Sequence, residues 1–328
     1  MTELELQQKA SQSKAEQNKI AVIIPAFNAA AKIAQVIQSI PKYVDEIIVV
    51  DDGSTDQTYQ IVMNLNHPKV TPHVHKTNQG VGAAMLTGYQ KAIDLGADIL
   101  VKVDSDGQMN PGDMQSILEP LINGRADYAK GNRFADFRTL EKMPSIRRFG
   151  NAWLSFLTKL VSGYWNIFDV TNGYTAITAD MFKKINPKGI AKGYFFETSM
   201  LIELNICLAK VIDVEIPSFY EDEESHLKIH HVMAKFPLML MRGFCRRFYH
   251  RYLLRDFNAL SLCLIIGLPL FSFGVLYALS LWISPPVSGA PTPAGTVMLA
   301  ALPIIMGFQL LLTALILDIV FVPKKIHE

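Results

Sequence analysis

Cysteine is scarce in this chain: Cys207, Cys245 and Cys263 are the three among 328 residues. Their spacing matches neither a zinc site nor a disulfide framework, which sets both aside and fits a reducing compartment. An excess of either charge is also missing. Lys and Arg number 31 against 30 Asp and Glu, a net charge of +1, so nothing in the composition supports a nucleic-acid partner. No glycine-rich loop runs into Gly-Lys-Ser/Thr, which removes a P-loop. Gly80-Val81-Gly82 begins like a dinucleotide fingerprint, but Met85 stands where the third small residue is required. Residues 1–19 have no apolar core, so they read as a disordered or frayed helical lead-in and not as a signal or transit segment. The largest absence lies near the other end. Residues 257–317 contain no charged residue and no histidine, the composition of a membrane segment.

Between these ends, apolar runs alternate with helical stretches. Residues 20–25, 46–51, 70–76 and 99–104 read as buried strands. Residues 29–40, 54–66 and 80–95 read as the helices between them, the second started by a capping box of Ser54 and Gln57. Asn110-Pro111 reads as an N-cap followed by proline in the first helical position. Further strands are expected over 126–133, after Tyr174 and over 211–219, with helices over 147–162 and 197–208. Strands this continuously apolar, alternating with helices, predict a mostly parallel, Rossmann-like α/β sheet.

The run Ile99-Leu100-Val101-Lys102-Val103 ends in Asp104-Ser105-Asp106. Side chains two apart on a strand share a face, so alternation sends Asp104 and Asp106 together into the crevice beyond the strand. Two adjacent carboxylates repel and invite a cation. Ligation by carboxylate oxygens suits Mg2+ or Mn2+ shared with substrate phosphates. Ligands of such sheets sit beyond the carboxyl ends of the strands, where Pro25 to Asn28, Asp51-Asp52 and Asp104 to Asp106 all fall. Gly80 and Gly82 serve either close helix packing or contact with a nucleotide.

Four ordered motifs carry a family resemblance. Ile24-Pro25-Ala26-Phe27-Asn28, Val50-Asp51-Asp52-Gly53-Ser54-Thr55-Asp56, Asn78-Gln79-Gly80-Val81-Gly82-Ala83-Ala84 and Asp104-Ser105-Asp106-Gly107-Gln108 resemble those of family 2 glycosyltransferases with the GT-A fold, over roughly the first two-thirds of the chain. The resemblance implies a nucleotide-sugar donor, UDP- or GDP-linked, held by Pro25, Asn28, Asp51, Asp52, Gly80, Asp104 and Gln108. It also implies Mg2+ or Mn2+ on Asp104 and Asp106. Gly131-Asn132-Arg133, Arg147-Arg148-Phe149-Gly150-Asn151 and Asp169-Val170-Thr171-Asn172-Gly173-Tyr174 are similar to features of the polyprenyl-phosphate branch, which includes dolichyl-phosphate mannose synthases and bactoprenyl-phosphate sugar transferases. That similarity implies catalytic roles for Asp104, Asp106, Arg133 and Arg147, and an acceptor phosphate held by Arg133, Arg147 and Asn151. The branch often has an arginine where this chain reads Glu221-Asp222-Glu223-Glu224-Ser225-His226. Lys228 or His226 then takes its place, or nothing does.

The C-terminal third reads as a membrane attachment. Lys228, Lys235, Arg242, Arg246, Arg247, Arg251 and Arg255 occur without an acidic residue among them, while Phe236, Leu240, Phe244, Phe248 and Tyr252 recur every four residues. This pattern predicts interfacial helices over 228–256 at an anionic surface, with the stems of Arg247 and Arg251 snorkelling past the aromatic stripe. Residues 257–283 and 297–322 are each long enough to span a bilayer. The uncharged loop between them and the basic residues at both outer ends put both termini and the catalytic domain in the cytoplasm. Asp318, near the inner boundary, costs little there. The expected organisation is a lead-in over 1–19, a GT-A domain over 20–227, interfacial helices over 228–256, a two-helix hairpin over 257–322 and a tail over 323–328. The hairpin can also serve homo-oligomerisation.

The chemistry these features predict is inverting transfer of a sugar to a polyprenyl phosphate at the cytoplasmic membrane face. A phosphate acceptor is already anionic, its second pKa being about 6, so it needs cations more than a base. A lipid hydroxyl acceptor is the alternative, and it would make Asp169 or Glu197 the candidate base. A non-catalytic nucleotide-binding membrane subunit is a further alternative. A processive polysaccharide synthase is disfavoured, because Gln-x-x-Arg-Trp is absent.

Overall fold

The computed structural model describes residues 18–133, 145–170, 172–217, 229–283 and 292–323, without the side chains of 145–149, 151 and 229–235. The chain divides into two compact units, the second being Cys245–Val322.

In the first unit the elements alternate as the hydrophobic pattern predicts. In order they are β1 (Ile20–Ala26), α1 (Ile33–Ser39), β2 (Glu46–Asp51), α2 (Thr58–Asn64), β3 (Val70–Val74), α3 (Val81–Asp94) and β4 (Ile99–Lys102). Then come α4 (Met114–Ile122), β5 (Tyr128–Asn132), α5 (Ser145–Ser162), β6 (Thr175–Thr178), α6 (Ala179–Lys184), α7 (Phe196–Ile206) and β7 (Val211–Glu215). The strands form one seven-stranded sheet in the order β3-β2-β1-β4-β6-β5-β7. All its pairs are parallel except those of β6, which runs antiparallel to both β4 and β5.

Every residue of β1 is buried, because helices cover both faces of the sheet. On one face Val22, Ile24, Ile47, Val49 and Val101 meet Ile33 and Ile37 of α1 and Ile117 and Leu121 of α4. On the other, Gly88 lets α3 settle directly onto Ile23. Pro25 is tolerated in this central strand for a local reason. The Ile23 carbonyl accepts from Val103 N, and the Ala26 carbonyl accepts from Asp52 N, so Pro25 faces the β4 side. The β4 ladder ends opposite Ile23, where the next parallel bond, to the Val103 carbonyl, would have needed a Pro25 N–H.

Two boundaries differ from the sequence expectation. The helix after β2 begins at Thr58, with no side-chain cap from Gln57, because Ser54 Oγ accepts instead from Asn28 N at 2.9 Å. β4 stops at Lys102. The alternation argument therefore does not reach Asp106, and Asp104 to Asp106 lie in a turn.

Helix α8 (Ile229–Arg247) leaves the first unit and continues as a π-helical segment, Phe248–Arg255. In the second unit, α9 (Ala259–Ile283) and α10 (Ala294–Val320) are both long and apolar enough to cross a membrane. They meet through small residues: a Cβ on Gly274 would press on Ile304, and one on Gly307 would press on the backbone of Phe271. Arg247 and Arg251 do not snorkel outward, and Asp318 is not merely tolerated. Arg247 Nη1 and Nη2 donate to Asp318 at 2.8 and 3.1 Å, and Tyr252 Oη donates to the same carboxylate at 2.6 Å. Arg251 Nη2 donates to the Phe321 carbonyl at 2.6 Å. All four of these side chains are buried. The partners lie about 70 residues apart in sequence, and the π-helical turn brings Arg247, Arg251 and Tyr252 to one side.

Packing at Gly307 makes a clear prediction. A Cβ there would come within 2.5 Å of Phe271 N, so Gly307→Leu should cost about 1–3 kcal/mol by overpacking. Gly295 has nothing within 4 Å of its built Cβ, so Gly295→Leu should leave stability unchanged. Thermal unfolding of the full chain in detergent compares the two.

Candidate active site

The loops after β1 and β2 are tied to each other before any ligand is considered. Asn28 adopts a left-handed backbone, φ 52°, which asparagine tolerates better than most residues. That bend lets Asn28 Oδ1 accept from Thr55 N at 2.9 Å. Ala29 N donates to Thr58 Oγ1 at 2.8 Å. Asp51 Oδ1 accepts from Ser54 N at 2.8 Å.

Asp52 is 3% exposed and its oxygens are engaged with protein. Oδ1 lies 2.7 Å from His75 Nδ1 and accepts from Gln79 N at 3.0 Å, while Oδ2 accepts from Gly80 N at 2.7 Å. His75 Nε2 lies 3.0 Å from Thr87 Oγ1 on α3. Asp52 thus holds the loop that enters α3. The glycines there serve close packing. A Cβ on Gly80 would fall 2.5 Å from the Lys192 carbonyl oxygen, and one on Gly82 would strike the Ala191 carbonyl. Lys192 O accepts from Gly82 N at 2.7 Å and Ala83 N at 3.2 Å. The start of α3, where a phosphate could have bound, is occupied by the chain's own carbonyl.

The turn after β4 is closed internally. Asp104 N donates to Met109 Sδ at 3.3 Å, and Gln108 N to Asp106 Oδ1 at 3.0 Å. Gly107 takes φ 75°. Asp104 Oδ1 lies 2.8 Å from Lys102 Nζ, and that ammonium lies 3.3 Å from Glu197 Oε1 in the first turn of α7. The Lys102 side chain is 2% exposed and that of Asp104 30%. Burial alone would lower the Lys102 pKa, but the two carboxylates outweigh it and raise it above the ordinary lysine value. Gly173 abuts both groups, for a Cβ there would collide with Asp104 Oδ2 and Lys102 Nζ.

A second ion pair lies on the far side of β6. Arg133 Nε and Nη2 donate to Asp169 Oδ2 and Oδ1 at 2.8 and 3.3 Å, a bidentate fork. The Asp169 side chain is 0% exposed and that of Arg133 34%. Burial would raise the Asp169 carboxyl, but the Arg133 guanidinium outweighs it and holds its pKa below the usual aspartate value. Lys130 pairs with Thr175 of β6, as Lys102 does from the other side, so the two lysines share a row. Lys130 Nζ donates to the Asn172 carbonyl, and burial pulls its pKa down to about 8 against the pull of Glu197 and Asp169. Asp213 on β7 accepts from Phe168 N at 2.6 Å, and burial pushes its pKa up to about 6.

The sheet edge thus gathers Pro25, Asn28, Asp51, Asp104, Asp106 and Gln108 at the ends of β1, β2 and β4. Arg133 follows the end of β5. Arg147 and Asn151 lie in the first turns of α5, with side chains outside the described residues, as is Lys228. Lys102 and Lys130 were passed over in the sequence, although each is a lone charge in an otherwise buried strand, a position that lysine rarely takes unpaired. Among the described residues, no group of three or more His, Cys, Asp and Glu gathers as a metal site. Asp104 and Asp106 nevertheless fit a hard cation. They supply oxygen donors from one partly exposed turn and leave further positions to a ligand's phosphates.

Two predictions test these braces. Asp52→Ala leaves the Gln79 N–H and His75 Nδ1 without their Asp52 oxygen, while the Gly80 N–H keeps Asn78 Oδ1, and should cost about 1–3 kcal/mol of stability, measured by thermal unfolding. For Asp213, the folded pKa of about 6 exceeds the ordinary unfolded value of about 3.9. The folded chain therefore holds the extra proton between those values, and stability falls as pH rises through that window. Asp213→Asn removes this loss. Its advantage over the natural chain should grow from near zero at pH 4 to on the order of 2–3 kcal/mol at pH 7, read from unfolding midpoints.

Comparison with known proteins agrees with this architecture. The chain is 34% identical over 218 residues to the UDP-N-acetylglucosamine–dolichyl-phosphate N-acetylglucosaminyltransferase of Methanococcus voltae, covering 62% of this chain and 86% of that one. It is 29% identical over 185 residues to the polyprenol monophosphomannose synthase of Mycolicibacterium smegmatis, covering 55% and 69%. Among solved structures, glucosyl-3-phosphoglycerate synthase from Mycobacterium tuberculosis, in complex with Mn2+ and UDP-glucose, superposes with a TM-score of 0.56 at 21% identity, over 72% of this chain and 83% of that one. That likeness is one of fold. The signature of glycosyl transferase family 2 matches residues 21–186, and the chain belongs to that family.

Proposed function

We propose that this glycosyltransferase moves a sugar from a UDP- or GDP-linked donor to a polyprenyl phosphate, with inversion, at the cytoplasmic face of a membrane. The relatives named for dolichyl-phosphate and polyprenol sugar transfer support the acceptor class. One observation carries the choice of a phosphate over a hydroxyl. A hydroxyl acceptor needs a base, and the two carboxylates suited to that role are committed elsewhere. Asp169 is fully buried under the Arg133 fork, and Glu197 is paired with Lys102.

The reaction is an in-line displacement at the anomeric carbon through an oxocarbenium-like transition state. Asn28, Asp51 and Gln108 lie where donor groups enter at the ends of β1, β2 and β4. When Mg2+ or Mn2+ is bound at Asp104 and Asp106, it supplies positive charge for the departing nucleoside diphosphate. Arg133, a third exposed and oriented by Asp169, together with Arg147, Asn151 and Lys228, draws the acceptor dianion towards the donor. Asp52 and Gly80 contribute by shaping the loop below the donor.

The helices α9 and α10 anchor the protein. Basic residues flank the outer ends of the pair, and the connecting loop has none, which supports cytoplasmic termini by the positive-inside rule. In this reading the chain is organised as a GT-A domain over 20–227, interfacial helices over 228–256 and a hairpin over 257–322, a scaffold suited to a homo-oligomer.

A radiolabel transfer assay in membranes tests the proposal. It uses a panel of UDP- and GDP-sugars, undecaprenyl or dolichyl phosphate, and Mg2+ or Mn2+. An acid-labile lipid product from one donor, lost in Asp106→Ala by at least about a hundredfold, is expected. Label entering only lipids with a free hydroxyl would overturn the phosphate acceptor.

A further inference from the structure

The Lys102 ammonium stands between two carboxylates, and only one of them belongs to the proposed metal turn. Its Nζ is 2.8 Å from Asp104 Oδ1 and 3.3 Å from Glu197 Oε1. We propose that Lys102 is an exchangeable counter-ion. It holds Asp104 while the site is empty and moves fully onto Glu197 when a divalent cation on the donor diphosphate takes the Asp104 oxygen. Lys102 and Glu197 are therefore positioning residues that set the site's affinity for the cation. This rests on the reading of Asp104 and Asp106 as the metal-binding carboxylates.

Three features carry the argument. First, a buried ammonium cannot be left alone, because removing one partner of a buried pair leaves an uncompensated charge. Lys102 is almost wholly buried, so a cation capturing Asp104 could strand it. Glu197 removes that obstacle, since the ammonium already reaches it. Second, the ammonium is closely confined, so exchange is a short shift between two oxygens that it already reaches. β4 fixes the Lys102 backbone against Thr175. Gly173 packs against both the ammonium and Asp104 Oδ2, where a Cβ would collide with each. Third, Glu197 is held independently of the turn. It stands in the first turn of α7, whose Phe196, Met200 and Leu201 are buried, and a helix N-terminus favours the carboxylate there. The acceptor of the displaced ammonium is thus in place beforehand, and binding requires no rearrangement of the backbone.

Pairing by exchange differs from a simple summed field. If Glu197 merely added negative charge near the site, its removal would weaken cation binding equally whether or not Lys102 is present. If it acts by receiving the ammonium, its effect disappears once Lys102 is gone. A double-mutant cycle separates the two.

The test is Mn2+ binding to the purified full chain in detergent, with UDP or GDP present. Free Mn2+ is followed by electron paramagnetic resonance, a readout that does not depend on turnover. Glu197→Gln is nearly isosteric and leaves Lys102 bound to Asp104, so Kd for Mn2+ should rise about tenfold (~1.4 kcal/mol). Lys102→Met releases Asp104, and Kd should fall severalfold. In the Lys102→Met background, adding Glu197→Gln should change Kd by less than about twofold. An additive effect of Glu197→Gln in the double variant overturns the exchange, as does an unchanged or lower Kd in Glu197→Gln alone. The second criterion stands even if Lys102→Met fails to fold. A natural chain that binds no Mn2+ with either nucleotide overturns the metal reading itself. Normal binding with no shift in Glu197→Gln overturns the exchange alone.

Discussion

A buried lysine at the end of a central strand has to be answered by a carboxylate, and much of the site follows from that requirement. Lys102 closes β4, and the residues that neutralise it come from the following turn and from α7. The same row of the sheet carries Lys130, and beyond it Arg133 meets Asp169. The interior next to the candidate site thus holds two sets of paired charges, Lys102 with Asp104 and Glu197 and Arg133 with Asp169, with Lys130 between them on the Asn172 carbonyl. Such pairs add little net stability over apolar packing, but losing one partner is expensive. They hold the site's geometry more firmly than they stabilise the fold.

The neighbouring strands at the same sheet edge solve a different problem. There the loops after β1 and β2 have to be held open as a surface without a core of their own. Short polar side chains do this by accepting backbone N–H groups: Asn28 from Thr55, Asp51 from Ser54, Asp52 from Gln79 and Gly80. Each bond is modest, but unsatisfied buried donors would each cost more than the bond gains. In the second unit, Asp318 is answered by Arg247 and Tyr252 in the same way.

Much of this was legible beforehand. Continuous apolar strands between amphipathic helices announced a parallel sheet buried on both faces, and β1, β2, β3 and β4 lie within a few residues of the expected positions. The polar clusters at strand ends were legible as well, because ligands of such sheets gather there. The direction of individual side chains was not. Asp104 and Asp106 looked like alternating strand residues until β4 ended two residues early. Ser54 looked like a helix cap until Asn28 claimed its hydroxyl. Asp52 and Gly80 also brace the loop that enters α3, through the Gln79 and Gly80 N–H groups and the close approach to Lys192, which their motif did not announce.

The amino-acid order by itself determined the layers, the edge that carries the site, the family and the two apolar helices, because all of these follow from periodicity and local motif. Only the tertiary structure decided which charges meet. The pairs Lys102–Glu197, Arg133–Asp169 and Arg247–Asp318 join residues 95, 36 and 71 positions apart. Local spacing carries no information over such distances. Low-dielectric burial makes each partner obligatory once the chain has folded, and nothing in the unfolded sequence specifies which partner that is.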